Sequence, residues 1–136
     1  MSSCDDCLVQ HLTVQLYSIA SNLWDSKVDF YLFHRALSQE NLDMLDGFCK
    51  YLQNIDFHAV KVPDPEKYDI LASHGGSWPG EAYYSLGAHL LLPDSVDRIL
   101  YIDAGDVMVI DDIAPYYYDD FAGNTLIVKG SRFKNV

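Results

Sequence analysis

Two aspartates, Asp103 and Asp106, end the apolar run Arg98-Ile-Leu-Tyr-Ile102 and are separated only by Ala104 and Gly105. Small residues let the chain turn there and aim both carboxylates at one point. A converging carboxylate pair suits a hard cation such as Mn²⁺ or Mg²⁺, which prefers oxygen ligands and fills its shell with phosphate oxygens and water. The same four residues are also an ordinary polar turn between strands, so the pair alone does not define a site. A second acidic pair lies in Cys4-Asp5-Asp6-Cys7. Its cysteine spacing is that of a redox or zinc motif, but no second close Cys/His pair accompanies it, and acidic neighbours disfavour a thiolate. Of the histidines at 11, 34, 58, 74 and 89, only His74, beside Gly75-Gly76, is placed to approach a ligand. Tyr116 to Tyr118 could hold a sugar ring or simply pack at the rim of a sheet, and Trp78-Pro79 is either an anchor or a lid.

The elements that must position these groups alternate. Leu8, Leu12, Leu16, Ile19 and Leu23 recur on one face and predict a helix from Leu8 to Trp24. Val28 to Phe33 reads as a strand covered on both faces, as in a parallel sheet. A second helix begins at a Ser38 cap with Glu40 in its first turn and carries Leu42, Leu45, Phe48 and Leu52 on one side. Ile55 to Val62 reads as another strand, its two period-two sets both fairly apolar, so that it too is expected to be covered on both sides. Pro63-Asp-Pro65 breaks the pattern, and 74–80 reads as an irregular loop. A helix over Glu81 to Leu92, stopped by Pro93, precedes a short strand from Arg98 to Ile102. Val107 to Ile110 is a candidate small strand, Asp111-Asp112 caps a helical turn from Ile113 to Tyr117, and Thr125 to Lys129 is a last strand. Alternation of this kind implies right-handed crossovers on a mostly parallel α/β sheet. Ligands of open α/β sheets bind beyond the carboxyl ends of the strands, which is where Asp103 falls.

The 136 residues are enough for one domain with a core of its own, and an apolar share of 49% with 13% aromatic residues is globular composition. Twenty acidic against nine basic side chains give a net charge of −11. That charge repels nucleic acid and anionic lipid. It would also repel a nucleotide diphosphate unless some carboxylates held a divalent cation that inverts the local sign. No stretch has the apolar length of a membrane span, the start is acidic where a signal peptide would be basic, and three cysteines fit reduced thiols; a cytoplasmic location is the expectation.

The block Leu92-Pro-Asp-Ser-Val-Asp-Arg-Ile-Leu-Tyr-Ile-Asp103, followed by Val107-Met-Val-Ile-Asp-Asp-Ile-Ala-Pro-Tyr116, resembles glycosyltransferase family eight, the glycogenin and lipopolysaccharide galactosyltransferase family. Upstream, Ser3 to Leu8 resembles that family's Asp-containing loop after its first strand, Gln10 to Ile19 the helix behind it, and Glu81-Ala-Tyr-Tyr84 its Tyr-rich helix. The resemblance implies a GT-A (Rossmann-like) fold, a nucleotide-sugar donor, most often a UDP-sugar, a Mn²⁺ or Mg²⁺ cofactor, and hexosyl transfer with retention of configuration. It implies that Asp103 and Asp106 hold the metal, that Asp103, Ala104 and Asp106 line the nucleotide-sugar site, and that Asp5 and Asp6 sit near the uracil and ribose, Asp5 matching the base-contacting position. The acceptor, whether sugar, glycolipid or protein, is not named by these residues.

Departures from the pattern accompany the matches. The family's Asp-x-Asp is one residue longer here, and Ser85 stands where the family commonly has an Arg. The first strand is expected to be truncated, with only Met1 to Cys4 before the Asp loop, and the chain stops at Val136 before the family's second half, so truncation at both ends is the expectation. Residues 1–136 are therefore read as a single domain, the N-terminal donor-binding half of a transferase. A non-catalytic nucleotide- or partner-binding domain derived from such an enzyme is the alternative. A phospho-receiver is disfavoured because its acceptor Asp would belong near the middle of the chain. A strand-poor sheet edge also raises pairing between two copies as an expectation.

Overall fold

The computed structural model describes residues 1–75 and 78–128. Three parallel strands form one sheet in the order β1-β2-β3: Ser2–Ser3, Val28–His34 and Ile55–Lys61. Ser2 lies opposite Leu32 and Ser3 opposite Phe33, while β2 and β3 pair along their full length from Val28↔Ile55 to His34↔Lys61. The short first strand expected from the sequence is thus two residues long. The helices are α1 (Val9–Asn22), α2 (Gln39–Leu52), α3 (Glu66–Gly75), α4 (Ala88–Leu91) and α5 (Ala114–Tyr117).

Both predicted long helices form where the apolar spacing puts them. Leu12, Leu16 and Ile19 of α1 meet Leu45 and Cys49 of α2 and Phe30 and Leu32 of β2 in one buried cluster. Ser38 caps α2, its Oγ accepting from Asn41 N at 3.4 Å. The opposite face of the sheet is covered by a second cluster of Met1, Phe33, Val62, Tyr84 and Ala88. Alternate residues of β2 therefore enter opposite clusters, as a strand covered on both sides requires. β3 departs from expectation. Only Ile55 of its seven residues is buried, because β3 is the edge of the sheet; Phe57 and Val60 pack half-buried against the two opposite clusters.

Further on, α3 forms where the sequence pattern shows no helix, and it carries His74 and Gly75 out of the expected loop; Gly76 and Ser77 of that loop lie outside the described residues. The predicted helix over 81–92 is instead a 3₁₀ segment, Gly80–Gly87, continued by α4 and ended before Pro93. Arg98 to Ile102 is extended but joins no assigned strand ladder. Yet the Met1 amine donates to Leu100 O at 2.9 Å and Ile102 N donates to Met1 O at 3.1 Å, the bonding pattern of a parallel neighbour. With β1 so short, the pairing stops at that single residue. Neither 107–110 nor 125–128 forms a strand, and Lys129 lies outside the described residues.

Candidate functional site

The parallel alignment of 98–102 with the start of the chain fixes where the two acidic segments emerge. Met1 lies opposite Tyr101, so the chain leaves the sheet on the same side after Ser3 and after Ile102. Asp5-Asp6 and Asp103 to Asp106 thus share the carboxyl edge, where an open α/β sheet takes its ligands. The residues between the two segments form a hydrogen-bonded chain. Tyr101 OH donates to Asp103 Oδ1 at 2.7 Å, Ser3 Oγ lies 3.5 Å from Tyr101 OH, and Ser3 Oγ donates to Glu81 O at 2.8 Å.

The acidic groups also act on the buried groups behind them. Burial, the bond to Asp103 and the charges of both Asp103 and Asp106 push the Tyr101 phenol up to about 12, against a lowering from Ser3. Of the two carboxylates, Asp103 is the one bonded to that hydroxyl. The Cys4 thiol, buried behind β1, is pushed up to about 12 by burial first and then by Asp5, Asp6 and Glu81. A buried thiol pushed up in this way is a poor thiolate, which weighs against the redox reading of Cys4 and Cys7; Cys7 is exposed, and all three cysteines are free.

Each candidate has a local task as well. Asp5 Oδ1 accepts from Cys7 N at 3.0 Å and Leu8 N at 3.2 Å, capping the turn that leads into α1. Asp6 Oδ1 accepts from Ser38 N, Ser38 Oγ and Asn41 Nδ2, the last at 2.7 Å, and so ties the loop to the start of α2. Those bonds hold its carboxyl below the usual aspartate range. Ala104 is buried in the α1 cluster, while Asp103 and Asp106 are exposed. Gly105 has φ +82°, and a Cβ built there would stand 2.9 Å from His11 Cβ, so a side chain would force the loop off α1.

Gln15 is a site residue that the sequence motifs do not mark. Only 1% exposed, its Nε2 donates to Asp103 O at 2.7 Å and to Val107 O at 3.2 Å, gripping the carboxylate loop at both feet. Its signal in the sequence is a lone carboxamide between Leu12 and Leu16 on an otherwise apolar helix face. Arg35 is unmarked too: it follows β2 and pairs with Asp69 of α3 at 2.5 Å, with Glu81 3.9 Å away, bringing a cation to the acidic edge.

The other flagged groups fall elsewhere. His74 is taken up at the end of α3, its Nδ1 2.8 Å from Ile70 O. Tyr117 packs edge-on against Tyr118 and donates to Arg98 O at 3.3 Å, while Arg98 Nη1 donates to Tyr117 O and Asp119 O at 2.6 and 2.9 Å. Trp78 is exposed. A groove of about 460 Å³ runs beside the loop, lined by Tyr101, Asp103, Val109 and Tyr116 among others. A cavity of about 530 Å³ opens at the amino end of β2 and includes none of the five candidate site residues.

The sequence profile of glycosyl transferase family 8 matches residues 1–135. The chain belongs to that family. Among solved structures, the galactosyltransferase LgtC in complex with donor and acceptor sugar analogues is similar at a TM-score of 0.67 and 24% identity, over 88% of this chain and 42% of that one. Its active-site mutant Q189E gives a TM-score of 0.67 at 23% identity, over 88% and 41%. The bifunctional glycosyltransferase WbbM in its apo form gives 0.63 at 17%, over 85% and 20%. These likenesses establish the α/β fold as GT-A-like. The chain spans less than half the length of each of these structures. No curated protein matches it.

Proposed function

We propose that this family 8 chain forms the nucleotide-sugar-binding half of a metal-dependent hexosyltransferase of the retaining type, with a UDP-sugar as donor. The observation that carries the reading is the exposed pair Asp103 and Asp106 on one short loop at the carboxyl edge, with Asp103 held by the Tyr101 hydroxyl at 2.7 Å. Two exposed carboxylates are the donor chemistry that Mn²⁺ or Mg²⁺ takes. Among the described residues no three His, Cys, Asp or Glu cluster as a metal site, so Asp103 and Asp106 would supply part of the shell, with diphosphate oxygens and water among its other ligands. The cation, once bound, supplies Lewis-acid stabilisation of the leaving diphosphate.

The chain's own residues bind and orient. Tyr101 fixes Asp103 through its O–H, and Gly105, at φ +82°, supplies the backbone turn between the two carboxylates. Asp5 and Asp6, on the adjoining loop, serve the uracil and ribose, and Ala104 brings the backbone close to the donor. Arg35 offsets part of the negative field that an anionic donor meets at this edge. The cytoplasmic reading rests on the three free thiols; among the described residues no helix is long and apolar enough to cross a membrane.

The test is thermal stability with UDP, GDP and their sugars, with and without Mn²⁺. A ligand at a hundred times its Kd adds about 2.7 kcal/mol of stability. Stabilisation by UDP-sugar that needs Mn²⁺ and disappears in Asp103→Asn is the expected outcome. No shift with any nucleotide sinks the donor-site reading. Hydrolysis or transfer of the UDP-sugar by the same chain separates catalysis from binding alone.

A further inference from the structure

Gln15 comes from the middle of α1, almost ninety residues before the carboxylate loop, and spends its whole donor capacity on that loop. Its carboxamide has two N–H bonds to give. The structure shows Nε2 donating to Asp103 O at 2.7 Å and to Val107 O at 3.2 Å. These two carbonyls bracket Ala104, Gly105 and Asp106, so one buried side chain sets the span of the loop that carries both carboxylates. The acceptor end of the carboxamide is anchored too. Ser2 Oγ lies 3.4 Å from Gln15 Oε1 and donates to Ile102 O at 2.6 Å, tying the carboxamide and the strand that enters the loop to the same residue of β1.

α1 also holds the chain just past the loop, Ser18 Oγ accepting from Val109 N at 2.9 Å and Asn22 Nδ2 donating to Val109 O at 3.0 Å, but among the described residues Gln15 is the α1 side chain that bonds to both ends of the Asp103 to Val107 loop itself. Gly105 packs over His11 and Leu8 with no room for a Cβ, a contact that limits approach but gives no direction. Hydrogen bonds do give direction, and at 1% exposure no water competes for the Gln15 donors. A cation between two carboxylates is sensitive to their separation, Mg²⁺ and Mn²⁺ requiring tighter, more regular shells than Ca²⁺, which accepts longer bonds and irregular geometry.

We propose that Gln15 is a positioning residue that fixes the separation of the Asp103 and Asp106 carboxylates and thereby makes the pair select small divalent cations over Ca²⁺. The proposal rests on the donor-site reading above, and concerns what tunes that site.

The experiment titrates the 136-residue chain with Mn²⁺ alone, read from the loss of the free-ion paramagnetic resonance signal, and then with Ca²⁺ as competitor. Wild type, Gln15→Met, Gly105→Ala and Asp103→Asn are compared at a temperature where circular dichroism shows each folded. Loss of a residue that orients a metal ligand costs about ten- to a hundredfold in affinity. Gln15→Met is expected to weaken Mn²⁺ at least about tenfold while Ca²⁺ changes far less, so the Mn²⁺/Ca²⁺ preference collapses. General destabilisation lowers both affinities together and leaves the ratio unmoved. If Gln15→Met does not fold, Gly105→Ala, which pushes the loop off α1 and lengthens the same two bonds, must show the same collapse. An unchanged ratio in the folded variant, with Mn²⁺ binding still lost in Asp103→Asn, overturns the role of Gln15 and leaves the donor site standing. A wild-type chain with no Mn²⁺ affinity, or one whose affinity survives Asp103→Asn, overturns both.

Discussion

Replacing Gly105 by Ala probes how tightly the carboxylate loop is held against α1. Two separable penalties follow from the geometry. At φ +82° an L residue pays the left-handed backbone cost of about 1–2 kcal/mol. The new Cβ also meets His11 Cβ at 2.9 Å, closer than real Cβ contacts come, with Leu8 Cδ2 at 3.8 Å on the same side. Because the first contact is to a Cβ, no rotamer change of His11 relieves it, and either loop or helix must shift. Strain of this kind brings the total to about 2–3 kcal/mol. For a chain of this size each kcal/mol moves Tm by roughly 3–5 °C, so Gly105→Ala is expected to melt about 6–15 °C below wild type. The contact part is isolated in a His11→Gly background, where residue 11 has no Cβ. There Gly105→Ala should cost only the backbone part, about 1–2 kcal/mol, and His11→Ala should give no such relief. Urea unfolding of wild type, the two single variants and the double variant measures the coupling. A cost below about 0.5 kcal/mol for Gly105→Ala, or the same cost in the wild-type and His11→Gly backgrounds, refutes the packing argument.

Two further outcomes are expected. His34 is 5% exposed, its Nδ1 accepts from Leu37 N at 3.1 Å, and burial first, then Lys61, hold its pKa below the usual 6.5 against an opposing pull from Asp6. Its unfolded form takes up protons before the folded one, so the stability it contributes is present above about pH 6.5 and is lost as pH falls toward the folded value. Tm measured from about pH 7.5 to 5 should decline more steeply in wild type than in His34→Gln; parallel curves would remove His34 as the cause. Leu16, fully buried between α1 and the sheet, should cost about 2–5 kcal/mol when replaced by Ala, read as a lower urea midpoint with an unchanged slope. A loss under about 1 kcal/mol would mean that the α1 cluster repacks around the gap.

Apolar patterning delivers α1, α2 and β2: the helices each bury a face written at helical spacing, Leu12, Leu16 and Ile19 in one case and Leu42, Leu45, Phe48 and Leu52 in the other, while β2 is a short run apolar on both parities. The Ser38 cap is legible for the same reason, its partner Asn41 standing three residues on. Periodicity fails for α3, which has a weak apolar stripe and takes its support from outside itself. Tyr68 stacks edge-on against Tyr84 at 5.0 Å, and Asp69 pairs with Arg35. It fails again for 98–102, where the run is present but only Met1, just ahead of β1, pairs with it through the backbone.

Legible in the sequence by itself were the candidate carboxylates Asp103 and Asp106, the Ala-Gly turn between them, and the family block from Leu92 to Tyr116, all of them local facts. Which oxygens face which donors was decided only in three dimensions. Asp6 belongs to the start of α2, Tyr101 to Asp103, Ser3 to Glu81 and Gln15 to both ends of the carboxylate loop. Apart from the Tyr101 bond, these partners lie far apart along the chain, separated by 32 residues at the least and 92 at the most. A side chain's hydrogen-bond partner over such distances is chosen by how two packed surfaces meet, and that choice leaves no period in the sequence.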